Sequence, residues 1–153
     1  MKTLETIVAK HPFFDGLQPA YLELITGCAA NHVIKAGEFL FREGEEAQQF
    51  FVIREGTLKL LVQMPAAGEI ILQTIHSGEI VGWSWLFSPY RWHFSGRAAT
   101  ELRVLTFDGA CLRQKCDADT GFGYEFMKRF SRIMMERLQA TRLQLIDLYQ
   151  VRE

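Results

Sequence analysis

The apolar and polar positions divide the chain into three zones. Over residues 2–30, Leu4, Ile7 and Val8, then Leu22, Leu24, Ile25 and Ala29, recur at the three- and four-residue spacing of a helix face. His11-Pro12 and Asp15-Gly16 interrupt this run, with Pro19 beyond, so the spacing predicts two short helices joined by a turn. From 32 to 109 the period shortens. Stretches at 39–41, 49–53, 58–62 and 70–75 have strand length and composition, and Gly37, Gly44, Gly56, Gly68, Gly78 and Gly82 punctuate them. After an aromatic interruption, 94–98 and 103–108 continue the strand series. So many short strands between glycine turns predict a compact antiparallel sandwich or jelly roll.

Residues 118–150 read as one long helix, with no Pro and no Gly after Gly123. Met127, Ser131, Met134, Leu138, Thr141, Leu145 and Leu148 keep alternating steps of four and three, the seam of a coiled coil. Phe122, Phe126, Phe130 and Ile133 make a second stripe on a neighbouring face. One stripe can pack on the domain and the other on a partner, so a homodimer is expected. A helix of ~30 residues is ~45 Å long, more than a small domain can cover. The predicted architecture is mainly β, with a jelly roll and its short N-terminal helices over 1–118 and a dimerisation helix over 119–153.

The chain has 153 residues, 48% of them hydrophobic and 23% charged, which suits one folded domain. Lys and Arg number 17 against 18 Asp and Glu, so no net positive charge drives it to nucleic acid or membrane. Lys128, Arg129 and Arg132 form a small basic group on a helix flank. Cys28, Cys111 and Cys116 are odd in number and irregularly spaced, without a CxxC pair, which reads as reduced thiols of a cytoplasmic protein. The first residues lack the apolar stretch of a signal peptide, and no run approaches a membrane span.

The order HPFFDGL, a helix, IKAGEFLFREGEEAQQFFVIREGTLKLL, GEIVG and a long C-terminal helix resembles the cyclic-nucleotide-binding domain. This is the sensor module of the catabolite-activator and fumarate-nitrate-regulator superfamily and of kinase regulatory subunits. The resemblance runs from about Leu4 to Tyr149 and implies turns at Gly37, Gly44 and Gly56. It also implies a phosphate cassette after the GEIVG turn: backbone N–H groups at a helix start, an Arg for the phosphate, and a Glu just after the glycine for a ribose hydroxyl.

This chain reads Gly82-Trp83-Ser84-Trp85-Leu86-Phe87-Ser88-Pro89-Tyr90-Arg91-Trp92-His93 in the cassette. Gly82 and Leu86 fit the family pattern. Trp83 stands in place of the Glu and Trp85 in place of a small residue, and Trp92 follows Arg91 where Ser or Thr is expected. An indole has one donor and no acceptor for a ribose hydroxyl. Registering the next strand on Ala98, Thr100 and Val104 moves Arg91 about one position off, and one step in a strand reverses the face. The candidate ligand residues are Gly82, Trp83, Ser84, Trp85, Arg91, Trp92 and His93, with Arg97 as the next candidate for the phosphate. Three outcomes stay open: cyclic AMP or cyclic GMP, a different planar or anionic ligand between aromatic walls with His93 tuning it, or a cavity filled by its own side chains.

Only four residues follow Tyr149, so no winged helix-turn-helix is expected here and no direct DNA binding. Output would run through contact with another protein, as yet unknown, and the segment 116–123, with Gly121 and Gly123, is the candidate hinge. His11, His32, His76 and His93 form no HxH pair and no GxSxG occurs, so neither cupin metal chemistry nor a nucleophile elbow is indicated. The reading is a non-enzymatic sensor or adaptor domain without cofactor or metal; its alternative is a structural dimerisation module.

Overall fold

A computed structural model describes residues 4–151. Two short helices open the fold, α1 (Leu4–Lys10) and α2 (Pro19–Thr26), with a single 3-10 turn, Pro12–Phe14, between them. Eight strands follow: β1 (Ala29–Ile34), β2 (Phe39–Phe41), β3 (Gln49–Glu55), β4 (Leu58–Met64), β5 (Gly68–Ile75), β6 (Ile80–Val81), β7 (Ser95–Ala98) and β8 (Leu102–Asp108). Two helices close it, α3 (Gly109–Ala118) and α4 (Thr120–Val151). The strands form two four-stranded antiparallel sheets, ordered β1-β8-β3-β6 and β2-β7-β4-β5, the predicted jelly roll.

Strand alternation produces two separate apolar layers. The sandwich interior holds Phe41, Phe51, Ile53, Leu58, Leu60, Ile75, Val81, Ala98, Leu102 and Val104. Phe50, next to Phe51 on β3, instead stacks on Phe107 of β8 with centroids 4.4 Å apart and planes 4° apart. Phe107 in turn meets Phe14 at 5.6 Å. Each such ring removed from water stabilises the fold by roughly 1.5–3 kcal/mol.

Two sequence expectations are corrected, and a segment left unassigned proves helical. Ala29 and Ala30 belong to β1 rather than to a helix, because they pair with Phe107 and Thr106 of β8. The segment ahead of the long helix is a helix of its own, α3, which starts at Gly109. The cysteines are not all free: Cys28 and Cys111, 83 residues apart in sequence, are joined in a disulfide, and Cys116 is the free thiol. The β1–β8 pairing brings the two together, since the Asp108 N–H donates to the Cys28 carbonyl at 2.9 Å.

The chain separates into two compact units, one ending at Lys115 and one beginning at Cys116. In the second unit, Phe122 stacks on Phe126 at 5.4 Å and Phe126 meets Phe130 at 5.3 Å, all three buried. Asp119 separates α3 from α4, and its carboxylate accepts the Phe122 N–H at 3.1 Å. Gly121 and Gly123 of the expected hinge lie inside the first turn of α4. Along the seam, Met127 and Met134 are half-buried, while Ser131, Leu138, Thr141, Leu145 and Leu148 are exposed.

Candidate functional site

The cassette is built between β6 and β7. Gly82 follows β6 with φ +106°, a conformation open to glycine, and a 3-10 turn, Ser84–Leu86, comes next. At its end the Leu86 N–H goes to the Trp83 carbonyl at 3.0 Å and the Phe87 N–H to the Ser84 carbonyl at 3.3 Å.

Beyond it the chain runs antiparallel to the β2–β3 connection. Ala47 N–H donates to the Tyr90 carbonyl at 2.6 Å, Trp92 N–H to the Glu45 carbonyl at 3.0 Å, and Gly44 N–H to the Trp92 carbonyl at 2.9 Å. Glu46 and Arg91 face each other as an isolated bridge. This extended segment alternates as a strand does: Arg91 out, Trp92 in, His93 out. The ladder thus decides which side chain of the cassette enters the sandwich, and it is the indole.

Trp92 is 4% exposed and belongs to the sandwich core. Its indole lies on the Phe41 ring with centroids 3.8 Å apart and planes 11° apart, and Phe51 and Phe94 flank it at 6.2 and 6.3 Å. Its far edge reaches Gly82, where an added Cβ would fall 2.8 Å from Trp92 Cη2. Gly96 of β7 makes the same allowance for Phe41, whose ring would stand 2.7 Å from a Cβ there.

The other predicted residues go elsewhere. Trp85 is fully buried, but it stacks on Phe50 at 5.5 Å, in the aromatic layer outside the sandwich. Its Nε1–H donates to the Gly82 carbonyl at 3.0 Å, and its own carbonyl accepts from Arg113, whose guanidinium covers the Tyr90 ring at 4.4 Å. Ser84 is buried and Trp83 half-buried. Arg91 is exposed and donates to the Gly44 carbonyl at 3.4 Å. His93 is exposed. Arg97 alternates with the inward Ala98 and forms a two-pronged ion pair with Glu69. The guanidinium holds the Glu69 carboxyl below the usual carboxylate range, and the carboxylate raises Arg97 in return.

Sequence reasoning did not single out Phe41 or Gly96. The available signal was a glycine inside a predicted strand, which marks a close approach by something bulky. A cavity of about 280 Å³ is lined by Phe39, Arg42, Glu43, Glu45, Leu61, Gln63 and Ser95, none of them in the cassette, although the Glu45 carbonyl accepts the Trp92 N–H. Among the described residues no cluster of His, Cys, Asp and Glu could hold a metal ion, and no helix is long and apolar enough to cross a membrane.

Residues 31–119 match the family model described as the cyclic nucleotide-binding domain. The chain is 26% identical over 145 residues to the CRP-like cAMP-activated global transcriptional regulator of Mycobacterium tuberculosis. That match covers 95% of this chain and 63% of the relative, so the chain spans less than two thirds of the relative's length. A candidate cyclic nucleotide-binding protein from Geobacter metallireducens GS-15 superposes with a TM-score of 0.79 at 25% identity, covering 90% of this chain and 99% of that one. The Thermus thermophilus catabolite activator protein shares the fold, with a TM-score of 0.71 at 19% identity over 90% of this chain and 63% of that one.

Proposed function

Because the chain belongs to the cyclic nucleotide-binding domain family, we propose that it is a regulatory domain whose nucleotide cavity is occupied by its own Trp92. It acts through protein contacts. The observation that carries this reading is the span of one indole from Phe41 to Gly82, between the sandwich interior and the first residue of the cassette.

Three further observations support it. At the position where the family resemblance calls for a carboxylate stands Trp83, which offers no acceptor to a ribose. Arg91 is exposed, on the outward phase of its ladder. Arg97 is already committed to Glu69. An anionic ligand entering beside Trp92 would meet aromatic rings, with neither Arg91 nor Arg97 placed to receive it.

Output is assigned to α4. Leu138, Leu145 and Leu148 are about half exposed, at 52%, 51% and 61%, and share the predicted seam with Met127, Met134 and Thr141. An apolar row at heptad spacing is covered by a second copy of the same helix in a parallel coiled coil, so the domain is a homodimer. It is non-enzymatic, it works in the cytoplasm, and its further protein partner is unidentified.

The test is a thermal-shift panel of the purified protein with cyclic AMP, cyclic GMP and cyclic dinucleotides. A ligand selective for the folded state raises the melting temperature by mass action. No rise is expected with any of them up to millimolar concentration. A saturable rise would show that a nucleotide displaces Trp92.

A further inference from the structure

We propose that Cys28 and Cys111 form a reversible thiol–disulfide site, which fastens the first turn of α3 to the entrance of β1 when oxidised and releases it when reduced. The pair is held by the fold independently of the bond between its sulfurs. Ala29 pairs with Phe107, the Asp108 N–H donates to the Cys28 carbonyl at 2.9 Å, and the Gly109 N–H donates to the Gln48 carbonyl at 2.7 Å. Asp108 then accepts the Cys111 N–H on its side chain at 3.0 Å, which shapes the first turn of α3 and brings Cys111 back toward Cys28. Further along α3, the Lys115 ammonium donates to the Leu24 carbonyl at 2.7 Å. The Cα atoms of the pair stand 6.0 Å apart, inside the ordinary range for a disulfide. With so many contacts in place, closing the bond needs little rearrangement, and opening it leaves the thiols facing each other.

Access favours Cys111. Cys28 is buried at 8% exposure, whereas Cys111 is half-buried on the helix surface. A dithiol reductant therefore reaches Cys111 first. Its thiolate attacks the Cys111 sulfur, the sulfur–sulfur bond breaks, and Cys28 leaves as a thiolate that takes up a proton. The second thiolate of the reductant then attacks the mixed disulfide and releases Cys111 as a thiolate, which is protonated in turn. Overall the protein disulfide gains two electrons and two protons, and the dithiol becomes a cyclic disulfide. Oxidation by a low-molecular-weight disulfide runs through the same exchange in reverse.

Cys116 does not compete for the bond. It lies five residues on in α3, about 140° around the helix from Cys111. Burial, with the Asp117 carboxylate adding to it, pushes its thiol up to about 11, so it is protonated near neutral pH. In a reducing compartment a protein disulfide persists only as a transient or sensing bond, and in an oxidising one it is a permanent staple. Pre-organisation by the fold favours closing the bond, and the partial exposure of Cys111 gives a thiolate a route to reopen it, so the pair is assigned to the first kind.

The experiment equilibrates the whole folded chain in buffers of graded oxidised to reduced dithiothreitol. Acid quenching, alkylation under denaturing conditions and intact-mass measurement then count the free thiols. One adduct is expected at the oxidising end, three at the reducing end, and the same curve in both directions. Cys111→Ser is expected to carry two adducts in every buffer. Hydrogen exchange of residues 109–118 is expected to quicken on reduction while the sandwich strands stay protected, and the melting temperature to fall by on the order of 5–10 °C. Three adducts in the most oxidising buffer would overturn the proposal, because the bond would not form. One adduct throughout, until the protein is denatured, would overturn it too, because the bond would be a fixed staple. So would exchange that rises across the whole sandwich on reduction.

Discussion

The indole of Trp92 lies flat on the ring of Phe41, 3.8 Å between centroids, while its opposite edge touches the bare backbone of Gly82. One side chain thus joins the β2 strand to the turn that opens the cassette. Removing it leaves a void that its neighbours cannot fill. Trp92→Ala is expected to destabilise the domain by about 3–5 kcal/mol in urea denaturation, and Trp92→Phe by less. Indole at millimolar concentration is expected to restore part of the lost melting temperature to Trp92→Ala and to leave the wild type unchanged. A loss under 1 kcal/mol would mean that the indole is not packed as described.

The glycine on the other side of this contact is under two demands. Gly82 has φ +106° and lies against Trp92, whereas Gly37 has φ +88° with nothing within 4 Å of an added Cβ. Gly37→Ala is expected to cost about 1–2 kcal/mol, the backbone penalty alone. Gly82→Ala should cost more, and a double-mutant cycle with Trp92→Phe should show coupling beyond about 0.5 kcal/mol. Equal costs at the two glycines would deny the steric contact.

Of the six glycines that punctuate the strand series, every one has positive φ, between 75° and 106°. That much was legible because a left-handed turn needs a residue without Cβ. The strand stretches were legible for a similar reason: local composition sets them. What escaped is set by pairing at a distance. β1, with residues 30–33 all exposed, carries no clean alternation, and β6 has two residues. The Cys28–Cys111 bond exists through the β1–β8 register, which no spacing reveals. Within the cassette, the sequence offered three tryptophans and Arg91, with Arg97 in the next strand, without saying which faces inward. The backbone ladder from 44–47 to 90–92 sets that phase, sending Trp92 into the sandwich and Arg91 out, while the 3-10 turn puts Trp85 on Phe50.

His11 ties the N-terminal segment to the β5–β6 turn. Its Nε2 donates to the Gly78 carbonyl at 2.7 Å and its Nδ1 accepts the Phe13 N–H at 3.1 Å, which fixes the neutral tautomer. Burial lowers its pKa below 6.5, against the smaller opposing effect of the Gly78 hydrogen bond. The unfolded chain therefore binds the proton more readily than the folded one. This contribution is whole above pH 6.5 and is lost as pH falls toward the folded value. The melting temperature is expected to drop between pH 7.5 and 5, and His11→Gln, which cannot titrate, to flatten that slope. His32, His76 and His93 remain in both proteins, so the difference isolates His11.

The seam of α4 has its own test. Leu138→Glu with Leu145→Glu places two charges on exposed positions of the helix. In sedimentation velocity the double variant is expected to run as a monomer where the wild type runs as a dimer, with the sandwich still folded by circular dichroism. A wild type that sediments as a monomer at tens of micromolar would refute the seam.

Trp92 itself can report whether its place is ever vacated. With 5-fluorotryptophan incorporated, the chain gives three fluorine resonances, one for each of its three tryptophans, and Trp92→Phe assigns the one of interest. Cyclic AMP is then titrated to several millimolar. The Trp92 resonance is expected to keep its shift and width throughout. A saturable change confined to that resonance would contradict a cavity filled by the protein's own side chain.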